Sequence, residues 1–323
     1  MTRLVYLLAA SHSGSTLTAM LLGAHPRVCT VGELKWTSMG DVHQYRCSCG
    51  DLIMQCGFWR DISAGMAERG FQFDISDARN DVRSIATDYE RKLLRPLHRG
   101  PVLEALRDTL LALSPGWSTR LRQHQLRSRA LIDTVLQRAG KDVIVDSSKI
   151  GLRLKYLLRV PDLDVRVIRV VRDGRAVALT YTDPANFADA VNPALKGGGS
   201  GASRDHQRLS MERAAREWRR SNEEMDAVLK QVDPSRWTVV RYEELCADPR
   251  ATLRRLHAFI GVDPDLGTLD FRSTEHHVVG NGMRLDTATE VRLDDRWRTA
   301  LGSNELQTFA SVAGPLNQRL GYV

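Results

Sequence analysis

The stretch that constrains this chain most runs from Leu4 to Leu22. It reads as an apolar run Leu-Val-Tyr-Leu-Leu-Ala-Ala, a polar turn Ser-His-Ser-Gly-Ser-Thr, then Leu-Thr-Ala-Met-Leu-Leu. An apolar run of that length suits a buried strand, and the apolar spacing after the turn suits a helix. A strand that turns sharply into a helix leaves the first helical N–H groups unpaired and aimed at the turn. Together with the positive end of the helix dipole, those donors favour an anion. Gly14 lets backbone approach a phosphate, and Ser13, Ser15 and Thr16 add hydroxyl donors. The candidate anion-binding set is therefore Ser13, Gly14, Ser15, Thr16 and Leu17. An ordinary β-α unit with a Ser-capped helix has the same local pattern, so the rest of the chain must decide.

A chain of 323 residues can form one large α/β domain with a sizeable insertion. A net charge of +7 and pI near 9.3 point to an anionic partner. The arginines are spread along the chain without a basic tail or nucleic-acid motif, which favours a small polyanion over nucleic acid. No apolar run reaches membrane-spanning length, and Val5 to Ala10 is too short and poorly flanked for a signal-peptide core. A cytoplasmic protein is the expectation. Oligomeric state is not legible. Five cysteines in a chain this long argue against a secreted disulfide framework.

After the first helix, Gly23-Ala-His-Pro-Arg27 reads as a stop, Val28 to Val31 as a short strand, and Gly32-Glu33 as its end. Residues 43–61 hold His43, Cys47, Cys49 and Cys56, four potential ligands in a short span. Zinc, a local disulfide and packing thiols all fit, and the Cys-x-Cys spacing is tighter than in usual zinc hairpins. From about Ser76 to Gly140 the pattern is helical, with breaks at Pro96, Gly100-Pro101 and Ser114-Pro115-Gly116. Leu103, Leu106, Leu110 and Leu113 mark an apolar face there. The region at about 40–140 is thus expected as an inserted helical subdomain beside the substrate.

The α/β pattern then resumes. Asp142 to Val145 reads as a strand ending at Asp146-Ser-Ser-Lys149, Gly151 to Arg159 as a helix, and Val165 to Val171 as a strand. That strand runs into Arg172-Asp-Gly-Arg-Ala-Val-Ala-Leu-Thr180 and another helix. Strands alternating with helices imply a parallel sheet with ligands at the carboxyl ends of its strands. The anion loop, Glu33, Ser147 to Lys149 and Arg172 all follow such strands and share that rim. Lys196-Gly-Gly-Gly-Ser-Gly201, within about 183–208, reads as a mobile loop. Met211 to Val232 carries Ala214, Trp218, Met225 and Leu229 at core spacing, and Trp237 to Arg241 reads as a further strand.

At Arg172 to Thr180 the chain comes to resemble the sulfotransferases that use 3′-phosphoadenosine 5′-phosphosulfate (PAPS). Their first motif, Lys/Arg-Ser-Gly-Thr/Ser-Thr/Ser, binds the 5′-phosphosulfate and reads His12-Ser13-Gly14-Ser15-Thr16 here. Their second motif opens Arg-Asp-x-Arg and places a Ser or Thr eight residues after its first Arg. Those two residues bind the 3′-phosphate and are Arg172 and Thr180 here. The segment Val240-Arg-Tyr242-Glu-Glu-Leu245 also matches. The resemblance covers about residues 3–35, 142–182 and 237–323. His25-Pro26 with Gly32-Glu33, and Arg172-Asp-Gly-Arg-Ala176, are similar to the tyrosylprotein sulfotransferase branch, where the glutamate is catalytic. The Cys-x-Cys and Gly280-Asn-Gly-Met-Arg284 segments are similar to bacterial members.

The resemblance implies a P-loop-like parallel β-sheet flanked by helices, forming one domain over 1–323 with PAPS as cosubstrate. The acceptor would be a hydroxyl on a glycan, lipid, phenol or secondary metabolite. It assigns Glu33 as general base, and Arg172, Thr180 and Tyr242 to the nucleotide, with Arg284 or Arg292 closing over it. No metal is required by that chemistry. One departure stands out: the family's first-loop cation is His12, and beside a polyanionic nucleotide an imidazole favours its charged form. Lys149 is the other candidate for that cation. A P-loop kinase or NTPase is the rival enzyme, but the Walker lysine is missing. A silent nucleotide-binding protein is the rival outside enzymes.

Overall fold

The computed structural model describes residues 1–35, 39, 41–95, 100–187, 208–274 and 276–323. Most of the glycine-rich loop expected at 183–208 lies outside these residues. The first strand, β1 (Thr2–Ala9), is buried from Leu4 onward. Its residues alternate between two separate apolar clusters, Leu4, Tyr6 and Leu8 in one and Val5, Leu7 and Ala9 in the other. Alternation between two cores means that β1 is covered on both faces, which explains why its sequence is an unbroken apolar run.

From β1 the chain turns into α1 (Ser15–Gly23) and continues to β2 (Val28–Thr30). Within the region expected as helical at about 40–140, the first α-helix among the described residues is α2 (Gly57–Glu68), which buries Phe58, Trp59, Ile62 and Met66. The helical insertion continues with α3 (Asp88–Leu93), α4 (Pro101–Leu113) and α5 (Trp117–Ala139). Then come β3 (Val143–Lys149), α6 (Gly151–Leu157), β4 (Leu163–Val171), α7 (Gly174–Thr182) and α8 (Pro184–Phe187). The remainder is α9 (Met211–Leu229), β5 (Trp237–Arg241), α10 (Tyr242–Ala247), α11 (Pro249–Ile260), α12 (Trp297–Ala300) and α13 (Ser303–Arg319).

The five strands form one parallel sheet in the order β2-β3-β1-β4-β5. Residues of α1, α10 and α11 pack into the core with Val5 and Leu7, and those of α2, α5, α6, α7, α9 and α13 into the core with Leu4 and Tyr6. The sheet is therefore sandwiched between helices, as parallel strands joined by crossover helices require. Because all strands point one way, their carboxyl ends share a rim, and β1 and β4 diverge from its centre in opposite topological directions.

Two sequence expectations need correction. The apolar face of α4 faces outward: Leu103, Leu106 and Leu113 are exposed, while Glu104, Arg107 and Leu111 are buried. The helix turns inward a charged face because Lys155 of α6 donates to Asp108 at 2.6 Å and Arg107 pairs with Asp108 at 2.9 Å. Helical spacing identified an amphipathic helix but assigned its faces by hydrophobicity alone. Second, β3 runs four residues past Val145, through Asp146-Ser-Ser-Lys149. The pairing shifts there from Tyr6 opposite Asp146 to Leu8 opposite Lys149, so β3 carries one extra residue.

Candidate active site

The turn between β1 and α1 is held by two left-handed residues, His12 (φ 60°) and Gly14 (φ 82°). A Cβ on Gly14 would stand 2.4 Å from the Tyr242 ring, so the position admits only glycine without displacing that ring. Ser13, Ser15, Thr16 and Leu17 are all buried. The Ser13 hydroxyl has no hydrogen-bond partner among the described residues, and no side chain caps the start of α1. The alternative of an ordinary Ser-capped helix is therefore not what forms: no side chain caps the helix start, and the first-turn donors are left for something else. The His12 ring packs edge-on against Tyr181 of α7, with centroids 5.4 Å apart.

Arg172 leaves the carboxyl end of β4 and crosses to this turn. It donates to the His12 carbonyl at 2.8 Å and to the Asp294 carbonyl at 2.7 Å, and it pairs with the Asp294 carboxylate at 3.1 Å. Its guanidinium lies 4.5 Å from the Tyr242 ring centroid, a cation–π geometry. Nε of Arg172 is buried without a partner among the described residues. Burial would raise the Asp294 carboxyl, but Arg296 and Arg172 together bring it down to about 2. Tyr242 completes this group: its hydroxyl donates to the Arg292 carbonyl at 3.2 Å and accepts the Asp294 N–H at 3.3 Å. The Thr180 hydroxyl is buried and donates to the Val177 carbonyl of its own helix at 2.7 Å.

On the other side of β1, Glu33 and Lys149 form a part-buried ion pair, with Lys35 3.5 Å from the second carboxylate oxygen. Burial would raise the Glu33 carboxyl; Lys149 and then Lys35 outweigh it and hold the group below its ordinary range. Lys149 adopts φ 73°, a left-handed conformation unusual for a non-glycine residue. The Glu33 N–H donates to the Val279 carbonyl at 3.2 Å, and Gly280 lies against its side chain. Thus the tail segment 278–280 backs the glutamate.

Asp146 and Asp294 are the organising carboxylates that sequence reasoning missed. Asp146, fully buried, accepts the N–H groups of Leu34 (3.2 Å) and Ser148 (2.9 Å) and pairs with Arg153 at 3.0 Å. It thereby ties the Glu33 loop to the end of β3. The only signal for it was position, a carboxylate just before Ser-Ser-Lys149 at a strand end. The tail arginines are placed differently from the expectation. Arg284 is buried, donates to the Arg46 and Gly280 carbonyls at 3.0 and 2.8 Å, and stacks 4.2 Å from the Tyr45 ring. The Arg292 side chain is largely exposed and paired with Glu290, while only its backbone joins the group around Tyr242.

In strand order, then, the rim carries Glu33, Lys149, the Ser13–Thr16 turn, Arg172 and Tyr242. This is a P-loop-like α/β fold with its polar groups at the sheet's carboxyl edge. The chain belongs to the sulfotransferase family, which it matches over residues 5–265. It is 26% identical to mouse carbohydrate sulfotransferase 5 over 342 aligned positions, covering 98% of this chain and 80% of the relative. Human carbohydrate sulfotransferase 2 is 29% identical over 204 positions, covering 52% of this chain and 37% of the relative. Among solved structures, the sulfotransferase domain from the curacin biosynthetic pathway superposes with a TM-score of 0.51 at 17% identity. That match covers 100% of this chain and 99% of the domain. Among the described residues, no helix is long and apolar enough to cross a membrane.

Proposed function

We propose that the chain transfers the sulfuryl group of PAPS to a hydroxyl of an acceptor, with Glu33 as general base. The observation that carries this reading is the part-buried Glu33–Lys149 pair beside an uncapped, donor-rich turn: Lys149 sits opposite Leu8, two residues before Ala10. Family membership supports the reaction class, and the carbohydrate sulfotransferase relatives favour a glycan hydroxyl among the acceptors considered.

Each residue has a role that its surroundings suit. Ser13 to Leu17 present backbone N–H and hydroxyl donors to the 5′-phosphosulfate. Arg172 has a buried Nε without a partner among the described residues to offer the 3′-phosphate, and the Thr180 hydroxyl donates to it by turning from the Val177 carbonyl. Charge-assisted bonds of this kind are about twice as strong as neutral ones. Tyr242 packs over Gly14 and Arg172 and keeps both in place. In the transfer, the acceptor oxygen forms the new S–O bond while its proton passes to Glu33. The bond from sulfur to the 5′-phosphate oxygen breaks, and Lys149, with His12, neutralises the charge left on that oxygen. Arg284 holds the segment behind Glu33, and Arg292 contributes through its backbone.

The test is calorimetric titration with adenosine 3′,5′-bisphosphate against ADP, followed by transfer from labelled PAPS to a panel of carbohydrate acceptors. Selective binding of the 3′,5′ isomer and label on an acceptor are the expected results. Equal binding of the two nucleotides would overturn the PAPS assignment, and Mg-ATP hydrolysis would favour a P-loop kinase instead.

A further inference from the structure

The cysteines at 47, 49 and 56 meet a histidine that lies far from them in sequence. Cys47, Cys49, Cys56 and His277 bring one ligand atom each into a group whose members all lie within 4.8 Å of one another. His43, the histidine closest in sequence, is exposed and outside this group. Cys49 Sγ and Cys56 Sγ are 3.7 Å apart, and His277 Nδ1 lies 3.4 Å from Cys56 Sγ and 3.7 Å from Cys47 Sγ. A zinc ion with Zn–S of about 2.3 Å and Zn–N of about 2.0–2.1 Å in tetrahedral geometry spans S–S edges of about 3.8 Å and S–N edges of about 3.5 Å. All four ligand atoms lie within 4.8 Å of one another, and the Cys49–Cys56, Cys56–His277 and Cys47–His277 separations are close to those edges. They are far longer than the ~2.05 Å of a disulfide, and all five cysteines are free.

The supports of the four groups are also built. Tyr45 and Ile53 pair through a 2.8 Å backbone bond, and Arg46 bridges Leu52 in antiparallel fashion. Between them, Gly50 (φ 95°) closes a turn in which its N–H reaches the Cys47 carbonyl and the Cys47 N–H reaches the Asp51 carbonyl. This tight turn follows directly on Cys47 and carries Cys49, so the two thiols of the Cys-x-Cys pair are brought into one group. Cys56 is the N-cap of the 12-residue helix α2, where the helix dipole favours a thiolate. The His277 ring is stacked on Phe58 at 4.2 Å and 8°. Ser48 grips both neighbours of His277, accepting the Val278 N–H at 2.8 Å and donating to the His276 carbonyl. These contacts hold the backbone on either side of His277 and the plane of its ring.

We propose that Cys47, Cys49, Cys56 and His277 form a structural zinc site that clamps the 45–56 hairpin and the start of α2 to the tail segment behind Glu33. Binding releases the three thiol protons to solvent and involves no change of oxidation state. Four protein ligands complete the tetrahedron, so the ion has a structural and not a catalytic coordination. From His277 the chain runs directly to Val279 and Gly280, which bond to Val31, Glu33 and the Tyr45 hydroxyl. The site thus staples together two parts of the chain separated by 230 residues, Cys47 and His277. Sulfuryl transfer itself still needs no metal at the reacting atoms.

Elemental analysis of the full chain, purified under reducing conditions without chelator, tests the site. About one zinc per chain is expected, retained in Cys246→Ser and His43→Ala and lost in Cys49→Ser and His277→Ala. Should those two variants fail to fold, exchange of the intact protein into cobalt provides the second reading. Thiolate-to-cobalt charge transfer with the strong d–d bands of a tetrahedral ion is expected, and its absence would overturn the proposal. A metal-free protein whose three thiols react at once, a Cys49–Cys56 disulfide in a non-reducing peptide map, or stoichiometric iron would each overturn it too. Metal content is read without substrate, so its failure is separate from failure of the sulfotransferase reading.

Discussion

At the Ser13–Thr16 turn, polar groups outnumber their partners among the described residues: a buried hydroxyl is unpaired, no side chain caps the helix start, and a neighbouring arginine has a free Nε. At Glu33, a few strands away, every charge is answered, with two lysines closing on one carboxylate. The first region is organised to receive an anion that the chain itself does not supply. The second is already paired within the chain, one carboxylate between two ammonium groups, and on the proposed mechanism it must be reopened to act. In that mechanism, donor binding has little to rearrange, whereas transfer asks Lys149 to turn from Glu33 toward the departing oxygen. As Lys149 leaves, burial regains its hold on Glu33 and raises its affinity for the acceptor proton, which strengthens the base when it is needed.

Several substitutions would break or sharpen this contrast. Glu33→Gln should reduce turnover by ~10²–10⁴-fold while leaving affinity for adenosine 3′,5′-bisphosphate unchanged by calorimetry; unaltered turnover would remove Glu33 from the role. Lys149→Met should lower turnover by ~10²–10³-fold and also displace the pH profile. With the lysine present, Glu33 remains ionised below the ordinary carboxylate range, so the acid limb of kcat/KM lies there. Without its main counter-charge, burial raises the group, the base protonates sooner, and the limb moves to higher pH. An unmoved limb would mean that the pair does not govern the base. Arg172→Ala should weaken the 3′,5′-bisphosphate by about 10–100-fold, on the 1.5–3 kcal/mol of a charged hydrogen bond, with ADP little affected. Asp294 keeps Arg296 at 2.6 Å, so the fold is expected to survive. Smallest of all, Arg292→Ala should change thermal stability by no more than ~0.5 kcal/mol and leave nucleotide affinity in place; a large loss of affinity would show that its side chain leaves Glu290 to cover the ligand.

The sequence was most legible where periodicity and burial agree. The buried strands announce themselves as apolar runs, and their order in the chain implies the parallel sheet and its rim, which brings Glu33, Lys149, Ser13 and Arg172 to one edge. The α4 helix shows the limit of that logic: Glu104, Arg107 and Asp108 face Lys155 across a polar interface that spacing cannot distinguish from a solvated face. Partners distant in sequence were equally hidden. Nothing near Arg172 identifies Asp294, and nothing near Cys47 identifies His277, because pairing across more than a hundred residues depends on how the tail folds back. Arg284 shows the converse. The resemblance implied that Arg284 or Arg292 closes over the nucleotide, and the Arg284 guanidinium is committed to backbone carbonyls and an aromatic face.

The extra residue in β3 acts as a phase shift. In an uninterrupted strand, Asp146 and Lys149, three positions apart, would emerge on opposite faces. Because the ladder slips between Tyr6 and Leu8, both come to lie opposite residues of the same face. One strand can thus send its carboxylate inward to anchor the Glu33 loop and, half a turn of pleat later, deliver its ammonium group to the same glutamate. A regular strand with these two residues three positions apart could supply one of these groups to that face, but not both.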